Sequence, residues 1–481
     1  MIFGDEKMAV FSIIKLSELE GAKRIDAELY QPHHLNIRHA LANIRHTKIG
    51  EIVQRCKKGI FDIKAEKYVS VGVPFIRISN LKDGLIDDSD LTFIPLAIHR
   101  KEIKTEFHRN DIVLSKTAYP AASIIFFEYC NISQDIVGIS LKDSWKAKLD
   151  PACVVAFLNS KYGLSEMQQW FQGNIQMHLA LPDVRRITIP ILPENIQKKI
   201  SEVYINSHEQ NKKSKSLYFQ AETLLLEELE LKDFKPIYER SYTAKLSSAF
   251  SAHRIDAEYF QPAYEEVVEK IKGYPNGFSK LLKHAENMNP DFDPTKYPEQ
   301  NFYYVELADV DSSIGVIRSV NEIKGEEAPS RARRLLKEGD VIVSSVEGSL
   351  EKVALTYKEQ NGYLASTGFF QLRPLDILPE VLLVLSKSII LQVQLKKLCS
   401  GTILTAVPKK SLKELIIPNL SKSVQQEIAL LVQQSHEARS KAKELLGTAK
   451  KAVEIAIENS EKEALDYISE AEGAKHSLEK Q

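Results

Sequence analysis

Arg24-Ile-Asp-Ala-Glu-Leu-Tyr-Gln-Pro32 and Arg254-Ile-Asp-Ala-Glu-Tyr-Phe-Gln-Pro262 lie 230 residues apart in a chain of 481. The correspondence continues in order on both sides. Phe75-Ile-Arg-Ile-Ser-Asn-Leu81 aligns with Tyr304-Val-Glu-Leu-Ala-Asp-Val310, and Asp111-Ile-Val-Leu-Ser115 with Asp340-Val-Ile-Val-Ser344. Gly173 and Gly401 each open a short loop towards Ile189-Pro190 and Ile417-Pro418. Ser-His-Glu triplets start at Ser207 and Ser435, each 10 residues after a glutamine, Gln197 or Gln425. An offset held near 228–230 along two halves is a duplication, and it implies two similar bodies related by a pseudo-two-fold.

Each half reads as a mixed region followed by a long helix. Val73-Pro-Phe-Ile-Arg-Ile78, Asp111-Ile-Val-Leu114 and Ser123-Ile-Ile-Phe-Phe127 are β-branched or aromatic runs between turn residues, the pattern of strands. Phe302–Leu307, Asp340–Ser344 and Val353–Tyr357 repeat it. Pro151–Tyr162 and Pro379–Ile390 read as paired helices with proline in the first turn. Beyond Ile-Pro190 and Ile-Pro418 the period changes. Ile196, Ile200, Val203, Ser207, Gln210, Ser214, Leu217, Ala221 and Leu224 step by fours and threes. So do Val424, Ile428, Leu431, Ser435, Ala438, Ala442, Leu445 and Ala449. A 3.5-residue stripe of this length predicts a coiled-coil seam, with Ser207 and Ser435 as polar register marks. Either each helix packs on its own domain or the two pair antiparallel; the shared pattern favours pairing. A helix from Gln197 to Asp233 would be about 55 Å long, roughly one and a half turns of DNA. Past Gly447, Val453, Ile457, Leu465 and Ile468 continue one face, as a docking segment for another subunit or as a solvated tail.

The predicted architecture is α+β: two pseudo-two-fold-related mixed α/β domains separated by two long antiparallel coiled-coil helices. Its boundaries are 1–190, 191–240 for the central helix and linker, 241–420, and 421–481 for the C-terminal helix.

Composition narrows the function. An apolar share of 43%, a net charge of −1 and a pI near 6.9 exclude coating of nucleic acid by bulk positive charge, and leave a specific groove reader open. Residues 48–190 carry roughly +3 and the matching part of the second half roughly zero. Cys56, Cys130, Cys153 and Cys399 form no C-x-x-C pair, which points to a reduced, cytoplasmic setting without disulfides or zinc. The N-terminus lacks the charge-then-apolar order of a signal peptide. The most apolar stretch, Ile377–Leu395, is too interrupted to span a bilayer.

Catalytic signatures are missing from the reading. No G-x-x-x-x-G-K-[ST] loop is present. Asn289-Pro-Asp-Phe292 has aspartate where an amino-methyltransferase tetrad needs proline. Pro290-Asp291 with Glu322-Ile-Lys324 is a loose, unrepeated echo of a nuclease metal site. His178, His208 and His436 lack partners at ligand spacing and read as surface or seam histidines.

The duplicated opening motif, the two strand motifs and the Gly…Ile-Pro…Gln helix start together resemble the DNA-specificity subunit of Type I restriction–modification systems. The resemblance covers nearly the whole chain twice, and Ile189-Pro-Ile-Leu-Pro-Glu-Asn-Ile-Gln197 is its most specific part. The second half departs at Ile417-Pro-Asn-Leu-Ser421, where serine replaces the second proline. The resemblance implies a non-catalytic subunit in which each half is a target recognition domain reading one part of a split site in double-stranded DNA. It also implies two methyltransferase subunits on the helices, motor and nuclease subunits beyond them, and no membrane. It places no cofactor in this chain, with S-adenosylmethionine, ATP and Mg²⁺ held by the partners.

Base edges are read by side chains in the major groove, while backbone contacts place the domain. The two halves share framework strands and diverge between them, at Lys116–Pro120 against Ser345–Gly348 and at Ile86–His99 against Ile317–Arg334. Candidate contacts in the first half are Arg77, Lys82, Lys116 and Tyr119. In the second they are Arg331, Arg333 and Arg334, the densest basic cluster, with Ser344, Ser345 and Glu347. Arginine suits guanine or phosphate, and glutamate accepts from cytosine N4. Two other readings remain at this point: a DNA-binding adaptor of another anti-phage system, and a scaffold with two interaction heads and no DNA role.

Overall fold

The structure, a computed structural model, describes residues 11–16, 19, 25, 27–82, 84–173, 177–318, 320–401 and 405–478. Arg24 and Asp26 of the first opening motif lie outside the described residues. The chain divides into two compact units, 1–210 with 440–481, and 211–439.

In the first unit, β1 (His46–Lys48), β2 (Val53–Lys58), β3 (Val73–Ile76), β4 (Leu81–Lys82), β5 (Leu85–Ile86) and β6 (Thr92–Ile94) precede β7 (Glu106–His108), β8 (Ile112–Ser115), β9 (Ala122–Ile124), β10 (Tyr129–Ile132), β11 (Ile136–Leu141) and β12 (Thr188–Pro190). Two four-stranded sheets result, ordered β6-β3-β10-β7 and β2-β11-β8-β9, with the ribbon β1-β12 and the hairpin β4-β5. The pair β3–β10 is parallel; every other ladder of this unit is antiparallel.

The run Asp111-Ile-Val-Leu-Ser115 does not alternate because both of its faces are covered. Ile112 and Leu114 enter the cluster built with the helices. Val113 enters a second cluster with Ile76, Phe107, Ile132 and Ile136, drawn from both sheets. Gly138 in β11 makes room for the end of the Phe107 ring, since a Cβ there would come within 2.3 Å of it.

The second unit repeats the plan. Its strands are β13 (Phe278–Lys280), β14 (Ala285–Asn287), β15 (Asn301–Val305), β16 (Val310–Asp311), β17 (Val316–Ile317) and β18 (Asn321–Lys324). They are followed by β19 (Ala332–Leu335), β20 (Val341–Ser344), β21 (Val353–Leu355), β22 (Leu364–Ser366), β23 (Phe369–Pro374) and β24 (Ile416–Pro418). The sheets are ordered β18-β15-β22-β19 and β14-β23-β20-β21, with β13-β24 and β16-β17 as the two-stranded pieces. Element for element this is the order of the first unit, including the one parallel pair, β15–β22. Val341 and Val343 face the helices, and Ile342 faces the other sheet.

The expected helices Pro151–Tyr162 and Pro379–Ile390 are each two. They are Pro151–Leu158 then Lys161–Gln168, and Pro379–Lys387 then Ile389–Leu398. The hydroxyls of Ser160 and Ser388 cap the second helix of each pair, accepting from Gly163 and Ile390 N–H groups at 3.4 and 3.3 Å.

The long helices are Glu194–Glu228 and Lys422–Glu458, the first about 52 Å long. Within the second unit Asn211 faces Arg439 (2.8 Å), and the Ser435 hydroxyl donates to the Ser214 carbonyl (2.7 Å), so the segments run antiparallel. Within the first unit the Ser207 hydroxyl donates to the Ala442 carbonyl at 2.8 Å. Shifted by 228 residues, these two hydroxyl bonds are the same bond made twice. Ser207 and Ser435 are thus buried register marks, as their seam positions predict.

The stripe itself drifts from the expected heptad. After Ser207 the buried positions are Asn211, Ser214, Tyr218, Ala221 and Leu225, one later than predicted at Gln210, Leu217 and Leu224. From Ile196 to Leu225 the stripe makes eight steps, about 3.6 residues each, which is the period of an unstrained helix.

The histidines of the triplets are neither plain surface nor seam. His208 stacks on Phe126 (centroids 3.7 Å, planes 6° apart) and His436 on Tyr357 (3.3 Å, 11°), each within its own unit. Burial lowers the His436 pKa, against the opposing charge of Glu359.

The C-terminal extension is not a solvated tail but packs on the first unit. The chain breaks helix after Glu458, Ser460 caps a second helix, Glu461–Leu478, and Ala464 and Ile468 enter the core of the first unit. Lys199 pairs with Glu472 at 2.9 Å.

Candidate nucleic-acid interface

In the first unit the turn after β3 begins at Arg77, whose N–H donates to Asn80 Oδ1 at 2.8 Å. The second unit makes the same turn at Glu306, with Asp309 as acceptor (2.8 Å). Arg77 and Glu306 are therefore structural equivalents of opposite charge. The Arg77 guanidinium is tied to Asp90 at 2.9 Å. Lys82, at the end of β4, is exposed.

The loop after β8 reaches the same edge. The Tyr119 hydroxyl donates to the Ile78 carbonyl at 3.3 Å, which joins the 116–120 loop to the 77–82 segment. Ser115 holds the loop's tight turn: its hydroxyl accepts from the Ala121 N–H (2.8 Å) and donates to the Tyr119 carbonyl. Ala118 sits at φ +66°, the left-handed region. The structure therefore brings Arg77, Lys82, Lys116 and Tyr119 together.

In the second unit Ser344 plays the part of Ser115. It is buried, and its hydroxyl accepts from the Val346 N–H at 3.1 Å, so its side chain is occupied within the loop. Ser345 N–H and hydroxyl both donate to the Gly368 carbonyl (2.9 and 2.8 Å). Thr367 N–H donates to the Arg331 carbonyl (2.9 Å), so Arg331 lies against the Thr367–Gly368 turn to which Ser345 is bonded.

The arginine cluster divides. β19 alternates and carries a bulge between Ala332 and Arg334, which turns its arginines to different surroundings. Arg331 is exposed. Arg333 pairs with Asp293 at 2.7 Å. Arg334 is buried, donates to the Met288 carbonyl at 2.8 Å, and is lowered by burial to about 10. Of the three, Arg331 is the one that is exposed with no carboxylate paired to it among the described residues.

Two further residues sit at these edges. His178 is exposed and bridges Thr117, and Ala406 bridges Val346 at the matching place. Both stand five residues after their loop glycine, Gly173 or Gly401, a spacing the duplication carries. Lys409 donates to Asn289 Oδ1 (2.5 Å) near the second loop. Among the described residues no helix is long and apolar enough to cross a membrane, and no group of His, Cys, Asp and Glu is arranged to hold a metal. All four cysteines are buried and unpaired.

Comparison with known proteins gives one family match, over the first unit. Residues 43–215 match the family described as the Type I restriction modification DNA specificity domain. Residues 43–215 are thus similar to that DNA specificity domain. Two solved structures align over 86% of this chain. One is a Type I restriction–modification S subunit from M. genitalium (14% identity, 96% of that chain, TM-score 0.39). The other is the HsdS subunit from Thermoanaerobacter tengcongensis (15%, 97%, 0.27). Likenesses at such scores add nothing to the family match. Comparison with curated proteins returned no match.

Proposed function

We propose that the chain is the specificity subunit of a Type I restriction–modification complex, and that each half reads one part of a bipartite site in double-stranded DNA. The observation that carries this reading is the strand-for-strand identity of the second unit's sheets with those of the unit that contains the matched domain. A second copy of a DNA-specificity fold with different loops is a second reader. On this reading the long helices set the gap and seat two methyltransferase subunits. Methylation of adenine N6 with S-adenosylmethionine, and ATP- and Mg²⁺-dependent cleavage by motor subunits, belong to those partners. The cytoplasm is where such a complex meets DNA.

Arg331 supplies a direct test. As an exposed cation beside the second loop it is assigned a phosphate contact. In the complex assembled with its methyltransferase, Arg331→Ala should weaken duplex binding for all sequences alike. It should also lower the slope of log affinity against log salt by about one. An unchanged slope would remove Arg331 from the interface. Binding that never distinguishes one duplex from another would remove the function.

A further inference from the structure

The two loop edges are one backbone scaffold carrying opposite chemistry. Lys116 N–H donates to the Asp135 carbonyl (2.8 Å), as Ser345 N–H donates to Gly368 (2.9 Å). Leu179 N–H donates to the Lys116 carbonyl, as Val407 N–H donates to that of Ser345, both at 2.8 Å. Gln172 and His178 exchange two backbone bonds (2.9 and 2.7 Å), as do Ser400 and Ala406 (3.1 and 2.9 Å). The scaffold therefore fixes equivalence position by position: Lys116 with Ser345, Thr117 with Val346, His178 with Ala406.

What the scaffold presents is not equivalent. The first edge offers an ammonium and an imidazole, Lys116 and the exposed His178, with the Tyr119 ring holding the loop against the Ile78 carbonyl. The second has Ser345, whose hydroxyl is already spent on Gly368, the carboxylate of Glu347, and no side chain beyond a methyl at Ala406. Glu347 is positioned through its backbone, its N–H donating to the Thr405 carbonyl at 3.0 Å.

We propose that these loop pairs are the base-reading edges and that they read in opposite senses. The first donates through Lys116 and His178 to the N7 and O6 acceptors of a guanine. The second accepts, through the Glu347 carboxylate, from the exocyclic amine of a cytosine or adenine. The chemistry is that of the major groove, where guanine shows two acceptors and cytosine N4 or adenine N6 shows a donor. A carboxylate facing phosphate would be repelled, so Glu347 at a DNA edge has a base amine as its fitting partner. The asymmetry has the same sign as the charge difference between the two matched regions. This inference rests on the reading of the chain as a specificity subunit and adds which atoms are read.

The test is the methylated motif written in cells by the assembled complex carrying Glu347→Gln, Lys116→Ala or neither. Glu347→Gln keeps the side-chain shape, so assembly is checked by continued methylation with the first half-site intact. Relaxation of one position by about tenfold, confined to the second unit's half-site, is expected. Lys116→Ala should relax one G·C position of the other half-site by a similar factor. A motif that survives both changes unaltered overturns the inference and leaves the specificity function standing. So does uniform weakening at all sites, the mark of a merely structural role. Relaxation at an A·T pair for Lys116→Ala also overturns it. Absence of any chain-dependent motif in the unaltered complex would instead sink the specificity reading itself.

Discussion

Replacing Asp311 by alanine should destabilise the second unit by about 2–3 kcal/mol, the cost of removing a buried carboxylate that is hydrogen-bonded and paired with half-buried arginines. Asp311 is almost fully buried at the start of the β16-β17 hairpin. It accepts from the Ser313 N–H (3.0 Å) and hydroxyl (2.6 Å), pairs with Arg318 at 3.2 Å, and lies 4.0 Å from Arg439 on the C-terminal long helix. Burial by itself pushes this carboxyl up. The charge and hydrogen bond of Arg318, the Ser313 hydroxyl and the charge of Arg439 more than reverse that, and hold it well below the usual carboxylate range. The sign follows. A depressed carboxylate contributes stability that is present above its unfolded pKa, about 3.9, and is lost as pH falls towards the folded value. The advantage of the unaltered chain over Asp311→Asn should be constant from neutral pH to about 5 and shrink below about 4. Amide exchange of the second unit's sheets in the intact chain measures both effects. Equal protection in the alanine variant would show that the hairpin does not depend on this charge.

The equivalent hairpin of the first unit is locked by shape instead. Gly84, at φ +94°, approaches the long helix so closely that a Cβ would fall 1.6 Å from the Tyr204 hydroxyl oxygen and 2.9 Å from its ring carbon Cζ. Tyr204 is buried and cannot swing out without opening the core. Gly84→Ala should therefore cost about 2–5 kcal/mol, of which about 1–2 is left-handed backbone strain and the rest overpacking. Adding Tyr204→Phe removes the clashing oxygen and should recover the packing part only. Because Lys82 stands two residues away, discrimination at the first half-site should fall with stability. Thermal unfolding of the single and double variants checks the order. Indifference of the single variant, or full rescue by the double, would contradict the close approach.

Much of this was legible in the residues. The repeat fixes equivalence because its offset survives through strands, turns and helix starts. The Ile112–Leu114 run between turn residues announces a strand. What escaped has physical causes. A stripe of fours and threes is consistent with both 3.5 and 3.6 residues per turn until about the third heptad, so the one-residue drift after Ser207 needed the packed structure. Three arginines in four positions read as a patch, but a strand sends neighbours to opposite faces and the bulge adds another turn. Arg334 consequently ends inside, bonded to Met288. Ser460 interrupts no periodicity in the sequence, so the helix reads as continuous there. As a cap it lets Glu461–Leu478 return to the first unit's core. The place of His178 beside Thr117 was not legible because the fold, not sequence proximity, brings the two segments together.

The most direct test of the central claim is single-molecule methylation sequencing of DNA from cells that co-express this chain with its methyltransferase. It is run with the native first half and with residues 45–190 exchanged for those of another specificity chain. The account predicts a bipartite N6-methyladenine motif in which the exchange rewrites one half and leaves the other half and the gap unchanged. A motif rewritten in both halves, or none that depends on the chain although the complex assembles, would contradict it.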